Sequence, residues 1–452
     1  MKKSTLSVFE YSLSFLLLAL NLINYEVRLN SMLFLIAGTA LYAALFFVCL
    51  RKSESFVACG VMMLCHTWQI SWFNIFGSPT AVLQLPWFYI TGAILVMFTL
   101  SKLKTLYTKQ ISVYFLSLIV FVVIISLFPL FSSPSKSEAL KEFIMIMFYI
   151  VLVFAAFLFS DSVSRKAREG ILSAYSFCVF ITCLFLIFQT VAYQFFGISL
   201  FYLSEGIYFG NATFTSGLLM SDLSSASIML GSAVFINIER IEKKQNIILN
   251  VIQMTVIVIG LALTSRRTGA VSLVVVLAIY AITHYKSVFK KITALILFSI
   301  VIAVMIYYLV FSRSIENMES LLYENNRFLN YFEVIKTIPS HPFGVGYDDT
   351  YARTFMTDGV APHNTVLRWM LMGGPLLAVT LLAIPIYTLI RAFKKKLSCE
   401  FWIILYALLA ASFIPDILTA RFFVIPCMCA LLICKKADAS KKPQSLPVKK
   451  LK

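Results

Sequence analysis

Residues 341–349, HPFGVGYDD, and residues 361–374, APHNTVLRWMLMGG, decide the fold of this chain. The proline and glycines of the first stretch favour a tight, irregular turn. The second stretch passes from a polar His363-Asn364 pair directly into a hydrophobic segment. The sequence around both stretches is mostly apolar, so they predict a polar loop at a membrane surface that returns into the membrane.

The composition of the whole chain is that of a membrane protein. Of 452 residues, 60% are hydrophobic and only 13% are charged, and the mean hydropathy is +0.88. These values lie far outside the range of soluble globular proteins. Segments of roughly 20 apolar residues, each long enough to cross the hydrocarbon core, are predicted near 12–25, 32–50, 56–73, 86–101, 112–132, 143–160, 171–196, 217–237, 246–264, 268–285, 291–311, 365–391, 400–414 and 418–434.

These segments predict an all-α, polytopic integral membrane protein with about 12–14 transmembrane helices. Residues 1–434 form a single transmembrane domain in this interpretation, and residues 435–452 form a basic cytoplasmic tail. One larger periplasmic loop spans 312–363, and its sequence predicts a short helix at 324–338.

The net charge of +17 follows membrane topology rather than nucleic-acid binding. Lysines and arginines gather in every second loop, which is the bias of cytoplasmic loops. Both termini are then cytoplasmic, and 312–363 faces the opposite side. The nine cysteines lie in or beside apolar segments without a CxxC pair, so neither a disulfide framework nor a metal site is expected.

Two adjacent arginines, Arg266 and Arg267, occupy a very short connection between predicted spans on the outer side. Arginine there runs against the charge bias of membrane loops and is costly if it enters hydrocarbon. A guanidinium group donates parallel hydrogen bonds that suit phosphate oxygens. The pair therefore indicates either an anionic ligand or arginines that only extend towards water.

Other polar residues on the same side extend this candidate site. Arg327 and Arg353 lie in the outer loop, and His363 stands where the chain re-enters the membrane. A neutral imidazole can accept a proton from a hydroxyl or orient it, whereas a surface or capping histidine is the simpler interpretation. Asp222, near the outer end of a predicted span, is a further candidate because ionisable groups at such positions are often functional.

The ordered motifs resemble the O-antigen ligase and polymerase superfamily of bacterial envelope glycosyltransferases. The residues that carry the resemblance are Ser265-Arg266-Arg267, Arg327, the turn Pro342-Phe343-Gly344-Val345-Gly346, His363-Asn364 and Gly373-Gly374. The stretch 214–230, FTSGLLMSDLSSASIML, is similar to a looser segment that precedes them. The resemblance covers about 160 residues, 214–374, and does not decide which arginine of the adjacent pair takes the family role.

The resemblance implies transfer of a glycan from undecaprenyl diphosphate to an acceptor hydroxyl at the periplasmic face of the bacterial inner membrane. It implies a metal-independent, inverting enzyme without a cofactor. Partners would be the lipid-linked glycan, the bilayer and, as a further candidate, a chain-length regulator. The implied catalytic residues are His363, Arg266 and Arg327, and the implied substrate-binding residues are Arg267 and Asn364. Asp222 and Arg353 are further substrate-binding candidates because of their own positions on the same side.

Three activities are compatible with this sequence. The first is a polymerase for O-antigen, capsular polysaccharide or exopolysaccharide, which extends one lipid-linked repeat unit with another. The second is a ligase that delivers the finished glycan to lipid A–core or to a protein. The third is a lipid-linked oligosaccharide flippase, which predicts symmetry between two halves and a charged central cavity. The rather short outer loop favours the polymerase.

Overall fold

The structure is a computed structural model, and it describes a large part of the chain. The described residues are 32–52, 58–60, 87–106, 113–158, 165–198, 206–209, 212–215, 223–264, 267–289, 291–293 and 326–415, with isolated residues at 12–16, 296–303 and 429. The predicted spans at 12–25, 56–73, 291–311 and 418–434 lie wholly or mostly outside these residues, as does the basic tail.

The described architecture is helical apart from one short hairpin. The helices are α1 (Met32–Lys52), α2 (Trp87–Leu106), α3 (Val113–Ser132), α4 (Lys136–Leu158), α5 (Arg165–Phe196), α6 (Leu223–Glu242), α7 (Ile247–Leu263), α8 (Arg267–His284), α9 (Asn326–Thr337), α10 (Asp349–Arg353), α11 (Thr365–Lys394) and α12 (Ser398–Ala411). Helix α9 confirms the short helix predicted within the outer loop.

The hairpin is a departure from the all-α prediction. Strands β1 (Gly206–Phe209) and β2 (Ala212–Thr215) pair antiparallel, with Ile207 opposite Phe214. Aromatic and β-branched residues favour such strands. The two residues between the strands are Gly210 and Asn211, a composition typical of two-residue hairpin loops.

Three described helices contain a stretch long and apolar enough to cross a membrane: Lys136–Phe157, Arg168–Ala192 and Thr365–Lys394. Several shorter helices are also apolar, including Leu116–Ser132, Ile247–Leu263 and Ser398–Ala411. The structure therefore supports a helical membrane protein, while the complete count of 12–14 spans remains a prediction.

The predicted bounds differ from the structure where helices extend beyond their apolar part. Helix α4 begins at Lys136 rather than at 143, because its first turns are polar and hydropathy detects only the hydrophobic remainder. The segment predicted as one uninterrupted span from 365 contains a break, since Gly374 has φ +79° and ψ 164°.

Helix α6 lies at the centre of the described bundle, packing against α7, α12 and α8. The contacts use small residues. A Cβ atom on Gly269 of α8 would lie 2.5 Å from the Ser227 hydroxyl of α6, and one on Gly260 of α7 would lie 2.5 Å from the Cys183 sulfur of α5. Lipid tails are as apolar as the helix surfaces, so the hydrophobic effect does not drive helices together inside a membrane. Close backbone approach and van der Waals packing hold them together there.

One end of the bundle collects basic residues. The buried side chain of Arg168, near the start of α5, pairs with Glu400 near the start of α12. The end of α6 contributes Arg240, whose guanidinium donates to the Ser173 hydroxyl at 2.6 Å. Helix α11 finishes at this end with Lys394. The prediction placed these residues on the cytoplasmic side, and the polar site described below lies at the opposite end.

Candidate functional site

The turn at 341–346 is bonded to a break in helix α11. Pro375 lacks the amide hydrogen that would bond the Leu371 carbonyl in a regular helix, and Gly374 leaves the helical conformation. The turn supplies the missing donors: the Val345 amide donates to the Leu371 carbonyl at 2.8 Å, and the Gly346 amide donates to the Met372 carbonyl at 2.9 Å. The turn and the break therefore form one structural unit.

Glycine is required on both sides of this contact. Gly344 has φ +82°, and a Cβ there would lie 2.3 Å from the Met372 carbonyl oxygen. Gly374 has φ +79°, and its Cβ would lie 2.4 Å from the Pro342 carbonyl oxygen. No other residue fits either position without moving the backbone. The Pro-x-Gly-x-Gly motif is thus a structural turn, as its composition indicates.

The end of α3 holds the other side of the turn. The Ser133 hydroxyl donates to the Pro129 carbonyl at 2.7 Å and accepts from the Tyr347 amide at 2.5 Å. The ring of Phe343 stacks on Phe128 with centroids 5.4 Å apart. Burial raises the pKa of Tyr347, so its phenol remains protonated and neutral. The turn is fixed between α3 and α11.

A charge network lies beside the turn. The Arg368 guanidinium of α11 contacts the Glu142 carboxylate of α4 at 3.0 Å and the Asp349 carboxylate of α10 at 3.3 Å. Asp349 also pairs with Arg353 at 2.6 Å, while Asp348 caps α10 by accepting from the Tyr351 amide at 3.1 Å. The network joins the loop to two candidate spans.

Arg353, a predicted substrate-binding residue, belongs to this network. Its side chain is 49% exposed and is paired with Asp349. The pairing orients the guanidinium but leaves half of its surface available. A role towards substrate remains a prediction for Arg353.

His363 and Asn364 stand at the start of α11. The Asn364 side-chain oxygen accepts from the Val366 amide at 3.0 Å and from the Leu367 amide at 3.1 Å, which is the geometry of a helix N-cap. Its amide nitrogen donates to the Ser412 carbonyl at 3.3 Å. Asn364, predicted to bind substrate, thus has a structural role in tying α11 to the end of α12.

His363 is held by its backbone and leaves its side chain half-buried. The Tyr331 hydroxyl of α9 donates to the His363 carbonyl at 3.0 Å. The next residue, Asn364, is fixed by its cap and by its bond to Ser412, so the backbone at His363 is held on both sides. Such support fixes the position from which an imidazole acts.

Arg327 lies on the same helix as Tyr331, which contacts His363. It is in α9, four residues before Tyr331, so the two share one side of the helix about 6 Å apart along its axis. Because Tyr331 contacts the His363 backbone, the helix that carries Arg327 is joined to the residue before Asn364. The Arg327 side chain lies outside the described part.

Arg267 begins α8, and only its backbone is described. Arg266 and Asp222 lie outside the described residues. Helix α8 is fixed near its start by the Tyr406 hydroxyl of α12, which lies 3.1 Å from both the Gly269 and Ser227 carbonyls.

The same helix α12 relates Arg267 to His363. Tyr406 lies six residues before Ser412, which contacts Asn364, a separation of about 9 Å along a helix. The start of α8 therefore lies towards the same end of the bundle as the start of α11. The structure brings Arg267, Arg327 and His363 to one end of the molecule.

Several supporting residues were missed at the sequence level. Tyr331, Ser133 and Glu142 each make a side-chain contact that holds the site, but none stands in a recognisable motif. Arg368 lies in the 361–374 stretch, but nothing in the surrounding sequence identifies its partners. Glu142 stands at the point in α4 where the polar first turns meet the apolar remainder, and a carboxylate that becomes buried there needs a partner.

A second polar cluster lies at the opposite, basic end. The side chains of Glu239, Cys399 and Glu400 are close enough together to be compatible with a metal ion. Their oxygens are already engaged: Glu400 pairs with Arg168, and Glu239 pairs with Lys243 and accepts from the Cys399 amide at 2.7 Å. These contacts connect helix ends, and they account for the cluster without a ligand.

Comparison with known families agrees with the site. Residues 252–382 match the family model described as O-antigen ligase. The match runs from α7 to the middle of α11 and includes Arg266, Arg267, Arg327, the 342–346 turn and His363-Asn364. No curated protein matches the chain significantly. The matched segment supports the resemblance of this chain to the O-antigen ligase/polymerase superfamily that the motifs carry.

Proposed function

We propose that the protein is a polysaccharide polymerase, which transfers a growing glycan from undecaprenyl diphosphate to a hydroxyl of another lipid-linked repeat unit. The observation that carries the proposal is the position of His363. It stands half-buried at the start of α11, bonded to α9 through Tyr331, inside the segment that matches the O-antigen ligase family.

The arginines bind the diphosphate in this proposal. When the anomeric C–O bond breaks, its electron pair passes to the diphosphate oxygen, which gains negative charge. Arg327 and one of Arg266 and Arg267 stabilise that charge more in the transition state than in the ground state. Their guanidinium groups remain protonated at any physiological pH.

His363 serves the acceptor. Its neutral imidazole accepts the proton of the acceptor hydroxyl as the oxygen forms a bond to the anomeric carbon. Attack from the side opposite the leaving diphosphate inverts the configuration at that carbon. The reaction needs no nucleotide sugar, and no metal or cofactor takes part in the proposed steps.

The membrane places donor and acceptor together. Both carry polyprenyl chains that stay in the bilayer, while their diphosphate and sugar groups reach the polar surface. We propose that this surface is the periplasmic face of the bacterial inner membrane, with both chain termini in the cytoplasm. The basic end formed by Arg168, Arg240 and Lys394 then faces the cytoplasm, which agrees with the charge bias of membrane proteins.

A ligase is the second candidate, because the matching family model is described as O-antigen ligase. The ligase would use the same donor and the same residues but a different acceptor hydroxyl, on lipid A–core or on a protein. The rather short outer loop favours the polymerase.

The test uses purified protein in nanodiscs. Supplied with the diphosphate-linked repeat unit alone, a polymerase yields a ladder of longer lipid-linked glycans on a gel. Transfer that occurs only after lipid A–core or a protein acceptor is added identifies a ligase. Inactivity with every acceptor, in protein that remains folded, would contradict both.

A further inference from the structure

One face of helix α9 is apolar and points away from the protein. Leu329, Phe332 and Ile335 are 44%, 62% and 53% exposed. They are spaced three residues apart, so they form one stripe along the helix. We call these three residues the outer stripe.

The opposite face of α9 makes polar contacts with the loop. Asn330 is 2% exposed, and its side-chain nitrogen donates to both Asp358 carboxylate oxygens at 3.1 Å. The Glu333 carboxylate accepts from the Thr357 amide at 3.0 Å. Val334 on this inward side is fully buried as well, so α9 has apolar residues both inward and outward, whereas a surface helix of a soluble protein has them mainly inward. The outer stripe therefore requires an apolar environment outside the protein.

The surroundings of α9 identify that environment. Tyr331 ties the helix to the residue just before α11, a candidate membrane span. In the turn that follows α9, Phe343 is 54% exposed and stacks on Phe128 of α3, which is 52% exposed. The apolar exterior of α3 therefore continues onto the turn that follows α9.

The rim of the stripe is also suited to a bilayer. Lys336 is exposed beside Ile335, and a lysine beside apolar residues can extend its ammonium group to lipid phosphates. The combination of a short apolar face and a basic rim is typical of helices that lie in the membrane interface.

We propose that α9 lies in the membrane interface on the His363 side, with Leu329, Phe332 and Ile335 in contact with phospholipid acyl chains. The occupant is the bilayer rather than a second copy of the chain, because the turn that follows α9 carries an exposed Phe343 that extends the apolar exterior of α3. The inference rests on the packing of α9 and not on the proposed reaction.

Photocrosslinking tests the contact directly. Benzoylphenylalanine replaces Phe332 or Ile335 in the full chain, held in nanodiscs of phosphatidylethanolamine and phosphatidylglycerol. Phe131, which is 72% exposed at the end of α3, serves as a lipid-facing reference. Thr354, exposed in the loop, serves as the water-facing control. All four positions are exposed, so the replacement does not disturb packing.

After irradiation, mass spectrometry should detect one added phospholipid on the proteins labelled at 332, 335 and 131, and none on the protein labelled at 354. Absence of adducts at 332 and 335, with adducts at 131, would overturn the proposal. Crosslinks from 332 to a second copy of the protein would also overturn it. The crosslinking readout does not depend on transfer activity. The test of α9 therefore remains valid even if the proposed reaction is wrong.

Discussion

At the scale of single residues, the structure distinguishes two glycines that both adopt positive φ. Gly344 has φ +82° and contacts the backbone of α11, whereas Gly359 has φ +66° and has nothing within 4 Å of its added Cβ. A larger residue at position 344 would therefore have both a strained backbone and a steric clash. At position 359 it would have a strained backbone alone.

Gly344→Ala should therefore lower the stability of the protein more than Gly359→Ala. Left-handed backbone costs an L-residue about 1–2 kcal/mol, and at Gly344 the 2.3 Å approach to the Met372 oxygen adds to that cost. Thermal midpoints of both variants in one detergent measure the difference. Equal midpoints would show that the turn does not dock on α11.

Asn364 offers a second test at this scale, because its capping and substrate roles predict different outcomes. Asn364→Ala removes the acceptor for the Val366 and Leu367 amides, at a cost of about 1 kcal/mol. Asn364→Asp keeps that acceptor but loses the donor to the Ser412 carbonyl, so it should be more stable than Asn364→Ala and less stable than the wild type, as measured by thermal unfolding. A loss of transfer activity in a stable Asn364→Asp protein would indicate the predicted substrate contact in addition to the cap.

At the scale of elements, α9 and α11 are coupled by the hydrogen bond from Tyr331 to the His363 carbonyl. The bond is local, yet it connects the helix that carries Arg327 with the residue proposed as the base. Loss of the bond should displace the two groups relative to each other. Removing the Tyr331 hydroxyl should change the stability of the protein little, because the residue is only half-buried.

Tyr331→Phe should lower kcat while the protein stays folded. A hydrogen bond of this kind is worth about 1 kcal/mol, equivalent to about a fivefold change in rate. The matched control is Tyr351→Phe, because Tyr351 is likewise a loop-side tyrosine but its recorded hydrogen bonds use the backbone. An unchanged kcat in Tyr331→Phe would remove the coupling between α9 and His363.

At the scale of the whole molecule, the charge network of Glu142, Asp349 and Arg368 joins residues from distant parts of the sequence. Arg368 and Glu142 are 226 positions apart, and their side chains are 11% and 19% exposed. Removing one partner leaves the other charge largely buried, whereas removing both avoids that penalty.

A double-mutant cycle should show this coupling. Glu142→Ala and Arg368→Ala are each expected to destabilise the protein, and the double variant should be more stable than the sum of the two effects predicts, by about 1–3 kcal/mol. Chemical denaturation in one detergent measures all four proteins. The i,i+3 pair of Glu138 and Lys141, exposed on α4, is the control, with a coupling below about 0.5 kcal/mol. Strict additivity at Glu142 and Arg368 would contradict the network.

Features that depend on neighbouring residues were predictable from the sequence, whereas contacts between distant residues were not. Hydropathy places α1 and α3 to within two residues, and the amphipathic pattern predicts α9. Local chemistry also predicts the turn at 342–346. The amides that this turn donates to α11 carry no sequence signature, because backbone groups are common to all residues.

Long-range partners were unpredictable for a related reason. Glu142 lies in the polar first turns of α4, close to Glu138 and Lys141, and nothing in its neighbourhood specifies Arg368 rather than another arginine. Asn364 shows a different difficulty. The His-Asn motif identifies Asn364 as an important residue, but it does not reveal that the side chain caps α11.

The central claim is that His363 acts as the base in glycan transfer. The most direct test uses phosphorus NMR to monitor the release of polyprenyl diphosphate from a lipid-linked repeat unit by the protein in nanodiscs. Wild-type protein and His341→Ala, which changes a histidine outside the proposed chemistry, should release one diphosphate lipid for each new glycosidic bond. His363→Ala should release it at least about 100-fold more slowly, the usual cost of losing a general base. Release by folded His363→Ala at the wild-type rate would contradict the account.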